Sequence, residues 1–108
     1  KLDGVQVLWV SRYGAGGSYW AAHPELSAAR VSWQVWNEVN VGADWPNPTA
    51  GGYQQLLAAT NQTIKATDPS ATVVTSGLAE FPAVASGQTM AQFLTGLEQD
   101  PAFRSSAR

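Results

Sequence analysis

Val31-Ser32-Trp33-Gln34-Val35-Trp36-Asn37-Glu38-Val39-Asn40 is the stretch on which the reading of the fold turns. Val31, Trp33 and Val35 share one face of an extended chain, and Ser32, Gln34 and Trp36 share the other. This period of two in β-branched and aromatic residues predicts a strand over 31–38. Its end is polar: the Glu38 carboxylate stands beside the Asn37 amide, with a second amide at Asn40 and two tryptophans close behind. In α/β folds, ligands bind just beyond the carboxyl ends of strands, so Glu38, Asn37 and Asn40 are site candidates by position as well as by type.

Downstream the period changes. Tyr53, Leu56, Leu57, Thr60 and Ile64 recur at helical spacing and predict a helix over 52–66, capped by Thr49. Asp68-Pro69-Ser70 stops it, and Thr72-Val73-Val74-Thr75-Ser76-Gly77 predicts a strand over 72–77. Strand, helix and strand within about 45 residues make a βαβ unit, hence a parallel pair. Residues 81–88 are expected to be loop. Thr89 then caps a last helix over 90–98 with Phe93, Leu94 and Leu97 inward, broken by Asp100-Pro101. Asn61-Gln62-Thr63 matches a glycosylation sequon but falls inside a predicted helix and is read as chance.

Upstream, Val5, Val7 and Trp9 alternate like a strand, whereas Leu2, Val5, Leu8 and Trp9 suit a helical face. Arg12-Tyr13-Gly14 favours the helix, because a basic last turn followed by glycine is a stop signal. Residues 14–30 are expected to be a loop carrying Trp20 and the sole histidine, His23. One histidine excludes a multi-histidine metal site.

The bulk properties narrow the function. The chain has 108 residues, a formal net charge of −2 and 13% charged residues, against roughly 25% in typical domains. A low charge fraction suits a piece whose flanks are covered by neighbouring chain, and equally a naturally low-charge exported protein. Lys and Arg are scattered, so no basic patch exists to hold a phosphate backbone and nucleic acid is not expected as a partner. The lack of cysteine removes disulfides and thiolate chemistry and leaves secreted and cytoplasmic residence both open. No apolar run approaches the roughly 20 residues of a membrane span.

Trp33-Gln34-Val35-Trp36-Asn37-Glu38-Val39-Asn40 resembles the fourth-strand motif Trp-x-x-Trp-Asn-Glu-Pro-Asn of clan A glycoside hydrolases, retaining enzymes of the (β/α)8 TIM barrel class. Val39 replaces the usual proline. Arg12-Tyr13-Gly14-Ala15-Gly16-Gly17-Ser18-Tyr19-Trp20 is similar to the run ending the third helix of some bacterial members, and the segment from Tyr53 to Ala79 is similar to their fourth helix and fifth strand. The fold class implied is α/β, a partial (β/α)8 barrel from about the third helix through the fifth βα unit, with residues 1–108 a piece of one catalytic domain. A complete barrel takes about 250 residues. The remainder of the barrel and a β-linked oligo- or polysaccharide are the partners implied, with no metal or organic cofactor.

The resemblance implies that Glu38 is the general acid/base and that Asn37 hydrogen-bonds the sugar 2-hydroxyl. Retaining hydrolysis needs two carboxyl groups about 5–5.5 Å apart, and the family's nucleophile ends a seventh strand that this chain does not reach. The isolated chain is therefore expected to be inactive. Trp36 and Trp45 are candidates to stack on sugar faces and to desolvate the acid. Trp20 is a weaker candidate, and Trp9 and Trp33 are assigned to packing. Asp44 adds a carboxylate beside Trp45. Glu80 follows the second strand and opens on the same face as Glu38, as a candidate to line the sugar site, with simple solvation of the loop its more common role. Two other readings compete: a non-catalytic carbohydrate-binding α/β module built on the same residues, and a structural α/β domain whose likeness is fortuitous.

Overall fold

The computed structural model of the chain describes residues 2–27, 31–43, 45–46, 48–80 and 87–106. In chain order the elements are α1 (Leu2–Tyr13), α2 (Ser18–Ala22), β1 (Ser32–Gln34), α3 (Ala50–Thr67), β2 (Thr72–Val74), α4 (Met90–Gln99) and α5 (Pro101–Ser106). β1 and β2 form a two-stranded parallel sheet joined through α3.

This corrects the barrel expectation. Five helices and two three-residue strands are found among the described residues, which is a mixed α/β arrangement and not a sector of a (β/α)8 barrel. The strand predicted over 31–38 ends at Gln34, because Trp36 (φ 67°) and Glu38 (φ 47°) turn into the left-handed region and leave the extended path. The strand predicted over 72–77 likewise ends at Val74, while the helices at 50–67 and 90–99 run slightly past their predicted ranges. Within the expected 14–30 loop, Ser18–Ala22 forms α2. Residues 81–86 of the other expected loop lie outside the described residues.

The chain divides into two compact units, Lys1–Trp33 with Ala59–Val74, and Gln34–Ala58 with Thr75–Arg108, so that the division crosses α3. In the first unit, Val10, Ile64 and Ala71 form a buried cluster against which Trp33 and Val73 pack. The Asp68 carboxylate fastens the chain after α1 to the end of α3: it accepts from Ala15 N at 2.9 Å, Ser70 N at 3.0 Å and Ser70 Oγ at 2.6 Å. These bonds, the Ser70 hydroxyl first, hold its pKa below the usual carboxylate value. Gly14 sits where a Cβ would meet Val10 O at 2.6 Å and Asp68 Oδ2 at 3.0 Å, so only glycine fits this crossing.

On the surface of that unit Trp9 stacks on Tyr13 and remains 53% exposed, so the packing expected of it is against a surface ring and not within the core. Tyr19 touches Tyr13, Trp20 and His23, and His23 pairs with Glu25 at 3.0 Å on the exposed side.

The second unit is built on the first half of α3 and on α4. Thr49 Oγ1 accepts from Gly52 N at 3.1 Å at the start of α3, and Thr89 and Gln92 form a reciprocal capping box on α4. Tyr53 and Phe93, both fully buried, meet at 6.0 Å between ring centres. Leu97, one turn beyond Phe93, is buried too, whereas Leu94 lies about 100° further round the helix and is exposed, a correction to its inward placement. Asp100 caps α5 by accepting from Ala102 N at 2.8 Å, with Pro101 in the first helical position. Among the described residues no helix is long and apolar enough to cross a membrane.

Candidate functional site

The site residues of the second unit follow β1 as the chain passes from surface to core. Val35 is buried, Trp36 and Asn37 are exposed, Glu38 is half-buried, and Val39 and Asn40 are fully buried. Two changes of direction make this possible, the left-handed turns at Trp36 and Glu38. Neither residue is glycine or asparagine, so each conformation costs about 1–3 kcal/mol and persists only where its surroundings over-determine it.

Those surroundings are hydrogen bonds from the chain after β2. Glu38 N donates to Gly77 O at 3.0 Å, and Val39 N donates to Ser76 Oγ at 3.4 Å. Glu38 O accepts from Val41 N at 3.0 Å, closing the turn. Before the turn, Gln34 Nε2 donates to Trp36 O at 3.0 Å. Beneath it, the Tyr53 hydroxyl donates to Val35 O at 2.9 Å and accepts from Ser76 N at 2.7 Å. Burial raises the Tyr53 pKa above its ordinary value, against the opposing pull of the Ser76 N–H, so the phenol keeps the proton it donates.

Asn40 is held in the interior by its side-chain amide. Its Nδ2 donates to Ala79 O at 3.0 Å and to Gln88 O at 2.9 Å, and its Oδ1 accepts from Ala79 N at 2.9 Å. Both amide protons are thus spent on backbone in the interior, where Asn40 ties the chain after β2 to the start of α4. The tie is extended by Gln88 N on Asn40 O at 2.9 Å and by the antiparallel bridge of Val41 with Gly87. A Cβ on Gly87 would come within 2.5 Å of Asn40 O, so this close approach of two backbones needs glycine.

The aromatic wall is formed by Trp36 and Trp45, whose rings meet edge to face at 5.4 Å between centres. Trp36 stays 42% exposed, whereas Trp45 is half-buried with its Nε1 enclosed and without an acceptor among the described residues. Trp36, Asn37, Glu38 and Trp45 therefore share one loop cluster at the end of β1. Glu80 is exposed and tethered to it through the neighbouring Ala79 that Asn40 grips. Asp44 lies outside the described residues. Trp20 belongs to the first unit, where its Nε1 donates to Tyr13 O at 2.9 Å.

Two members of the site were missed at the level of sequence. Tyr53 reads there as one apolar rung of the α3 stripe, and Ser76 as a strand residue. The available signal was the general one that a buried tyrosine hydroxyl finds a partner. Among the described residues no group of three or more His, Asp or Glu is placed to hold a metal ion. The hollow lined by Thr95, Glu98, Gln99, Phe103 and Arg104, on α4 and α5, includes none of the site residues. No protein-family model matches the chain, and no curated protein matches it.

Proposed function

We propose that the Trp36–Asn37–Glu38 turn is the acid/base half of a centre that hydrolyses β-linked glycosides with retention of configuration. The observation carrying this reading is the pair of left-handed non-glycine residues at the strand end. They bring a half-buried carboxylate and an exposed indole to one turn, at a cost in strain that a merely solvated loop would avoid. The likeness of residues 33–40 to the clan A motif supplies the chemistry. Glu38 protonates the leaving glycosidic oxygen while a second carboxylate attacks the anomeric carbon, and Glu38 then takes the proton of the water that releases the sugar. Asn37 donates its amide to the sugar 2-hydroxyl, Trp36 and Trp45 offer ring surface to the apolar C–H face of a pyranose, and Glu80 accepts from an outer hydroxyl. In this reading the nucleophile is supplied by sequence other than these 108 residues, so the chain alone binds sugar but does not turn it over.

The open indole of Trp36 also favours a second reading, a carbohydrate-binding module that does not cleave. One experiment separates the two. The full-length gene product is given aryl β-glycosides while the anomer first released is followed by proton NMR. Release of the β-anomer, abolished by Glu38→Gln, supports the hydrolase. Sugar binding without release, unaffected by Glu38→Gln, supports the module.

A further inference from the structure

We infer that Tyr53 is a positioning residue for Glu38, acting through a closed circuit of hydrogen bonds that runs from its hydroxyl through Ser76 and Gly77 to the backbone of the acid and returns through Val35. The inference rests on the reading of Glu38 as acid/base given above.

The circuit has a direct physical purpose. Val35 precedes the two left-handed residues, Trp36 and Glu38, and Val39 follows them. Glu38 N is held by Gly77 O, and Val39 N by the Ser76 hydroxyl. Ser76 and Gly77 are in turn fixed at Ser76 N, held at 2.7 Å by the Tyr53 oxygen, while Asn40 grips Ala79 two residues on. The same oxygen donates to Val35 O at 2.9 Å, so one atom sets the separation of both ends of the turn. The phenol itself cannot move. Its ring is fully buried in the second unit and packs on Phe93. A tyrosine serving the core alone would need a single acceptor for its hydroxyl. Here the hydroxyl joins the chain beyond β1 to the chain beyond β2, at the point where strain must be contained. Position matters for an acid catalyst because proton transfer requires hydrogen-bond reach to the leaving oxygen, and misplacement by about 1 Å can cost about a hundredfold in rate.

Tyr53→Phe removes the oxygen and keeps the ring on Phe93. In the full-length gene product it is compared with the parent protein on two substrates. An alkyl β-glycoside has a basic leaving group that must be protonated; a dinitrophenyl β-glycoside departs without an acid. The expected result is a loss of about tenfold to a hundredfold in kcat/KM on the alkyl substrate, with the dinitrophenyl substrate within about twofold. Phe93→Leu, which loosens the same ring without touching the hydroxyl, should lower both substrates alike or neither. Equal losses on both substrates for Tyr53→Phe, no loss on either, or a Phe93→Leu that reproduces the split would each overturn the inference. Should Tyr53→Phe fail to fold, Ser76→Ala removes the hydroxyl that holds Val39 N beside the circuit, and a smaller split in the same direction is required of it. Glu38→Gln is run in parallel: a split there without one at Tyr53 removes this inference alone. A parent protein that cleaves neither substrate removes the glycosidase reading and this inference with it.

Discussion

Asn40→Ala tests how the site is held together. Asn40 is fully buried and its amide makes three hydrogen bonds to backbone, two to Ala79 and one to Gln88. Truncation leaves Ala79 N, Ala79 O and Gln88 O without these partners, and Ala79 is itself 4% exposed. Each buried group left unsatisfied costs about 1–3 kcal/mol. Water entering the space vacated by the amide recovers part of this for the half-buried Gln88. The net expected loss is about 3 kcal/mol, or about 12–24 °C in Tm for a chain of this size. Urea unfolding followed by tryptophan fluorescence measures it, with an unchanged m-value required before the two states are compared. Asn40→Asp sharpens the test. A carboxylate still accepts from Ala79 N but faces two carbonyl oxygens with nothing to donate, so the variant should be at least as unstable at neutral pH. Burial and those oxygens raise its folded pKa, so stability should be greatest below the ordinary carboxylate range and lost as pH rises through the folded value. A loss under about 0.5 kcal/mol for Asn40→Ala, the range of ordinary surface substitutions, would refute the clasp.

Other outcomes follow from the same contacts. Gly87→Ala forces a Cβ to 2.5 Å from Asn40 O and should cost about 1–3 kcal/mol by urea unfolding, as overpacking does. Asp68 has a folded pKa held low, chiefly by Ser70, so it stabilises the fold above the ordinary carboxylate pKa and that stability is lost as pH falls through the folded value. Asp68→Asn should flatten this acid limb in melts recorded across the acidic range. Trp36→Gly relieves a left-handed tryptophan while losing its contact with Trp45. It should leave stability within about 1 kcal/mol of the parent, since an αL relief of about 1–2 kcal/mol is opposed by about 0.5–1.5 kcal/mol of lost ring contact, yet weaken oligosaccharide binding measured by calorimetry.

What could be read in advance, and what could not, follows from the kind of information each residue carries. The caps of α3 and α4 are legible because Thr49 and Thr89 act within four residues of their partners, whereas the reciprocal bond of Gln92 emerges only in the structure. The stripe of α3 was legible because 3.6-residue spacing is a local property. The end of β1 was not, because alternation through Val31–Trp36 says nothing of backbone handedness, and tryptophan and glutamate are residues from which a positive φ is not expected. Without that turn, the period-two pattern extends two three-residue strands into parts of a barrel wall. The aromatic and carboxylate content of the site stood in the motif itself. The parts holding it, Tyr53, Ser76 and the clasp of Asn40 on Ala79 and Gln88, depend on contacts from 18 to 48 positions apart that no local pattern encodes. For Asn40, in particular, the sequence carries no sign of its burial or of its hydrogen bonds to Ala79 and Gln88.

The central claim, that Glu38 is the acid/base of a retaining hydrolase, is tested most directly by Glu38→Ala in the full-length gene product with and without sodium azide. General acid–base catalysis contributes about a hundredfold to ten-thousandfold, so hydrolysis of an alkyl β-glycoside should fall by that order. A dinitrophenyl β-glycoside should still form the glycosyl-enzyme, and azide, which needs no general base, should restore its turnover and yield the β-glycosyl azide. An alkyl-glycoside rate unchanged by Glu38→Ala, or a lost rate on the dinitrophenyl substrate that azide neither restores nor converts to a β-azide, would contradict the account.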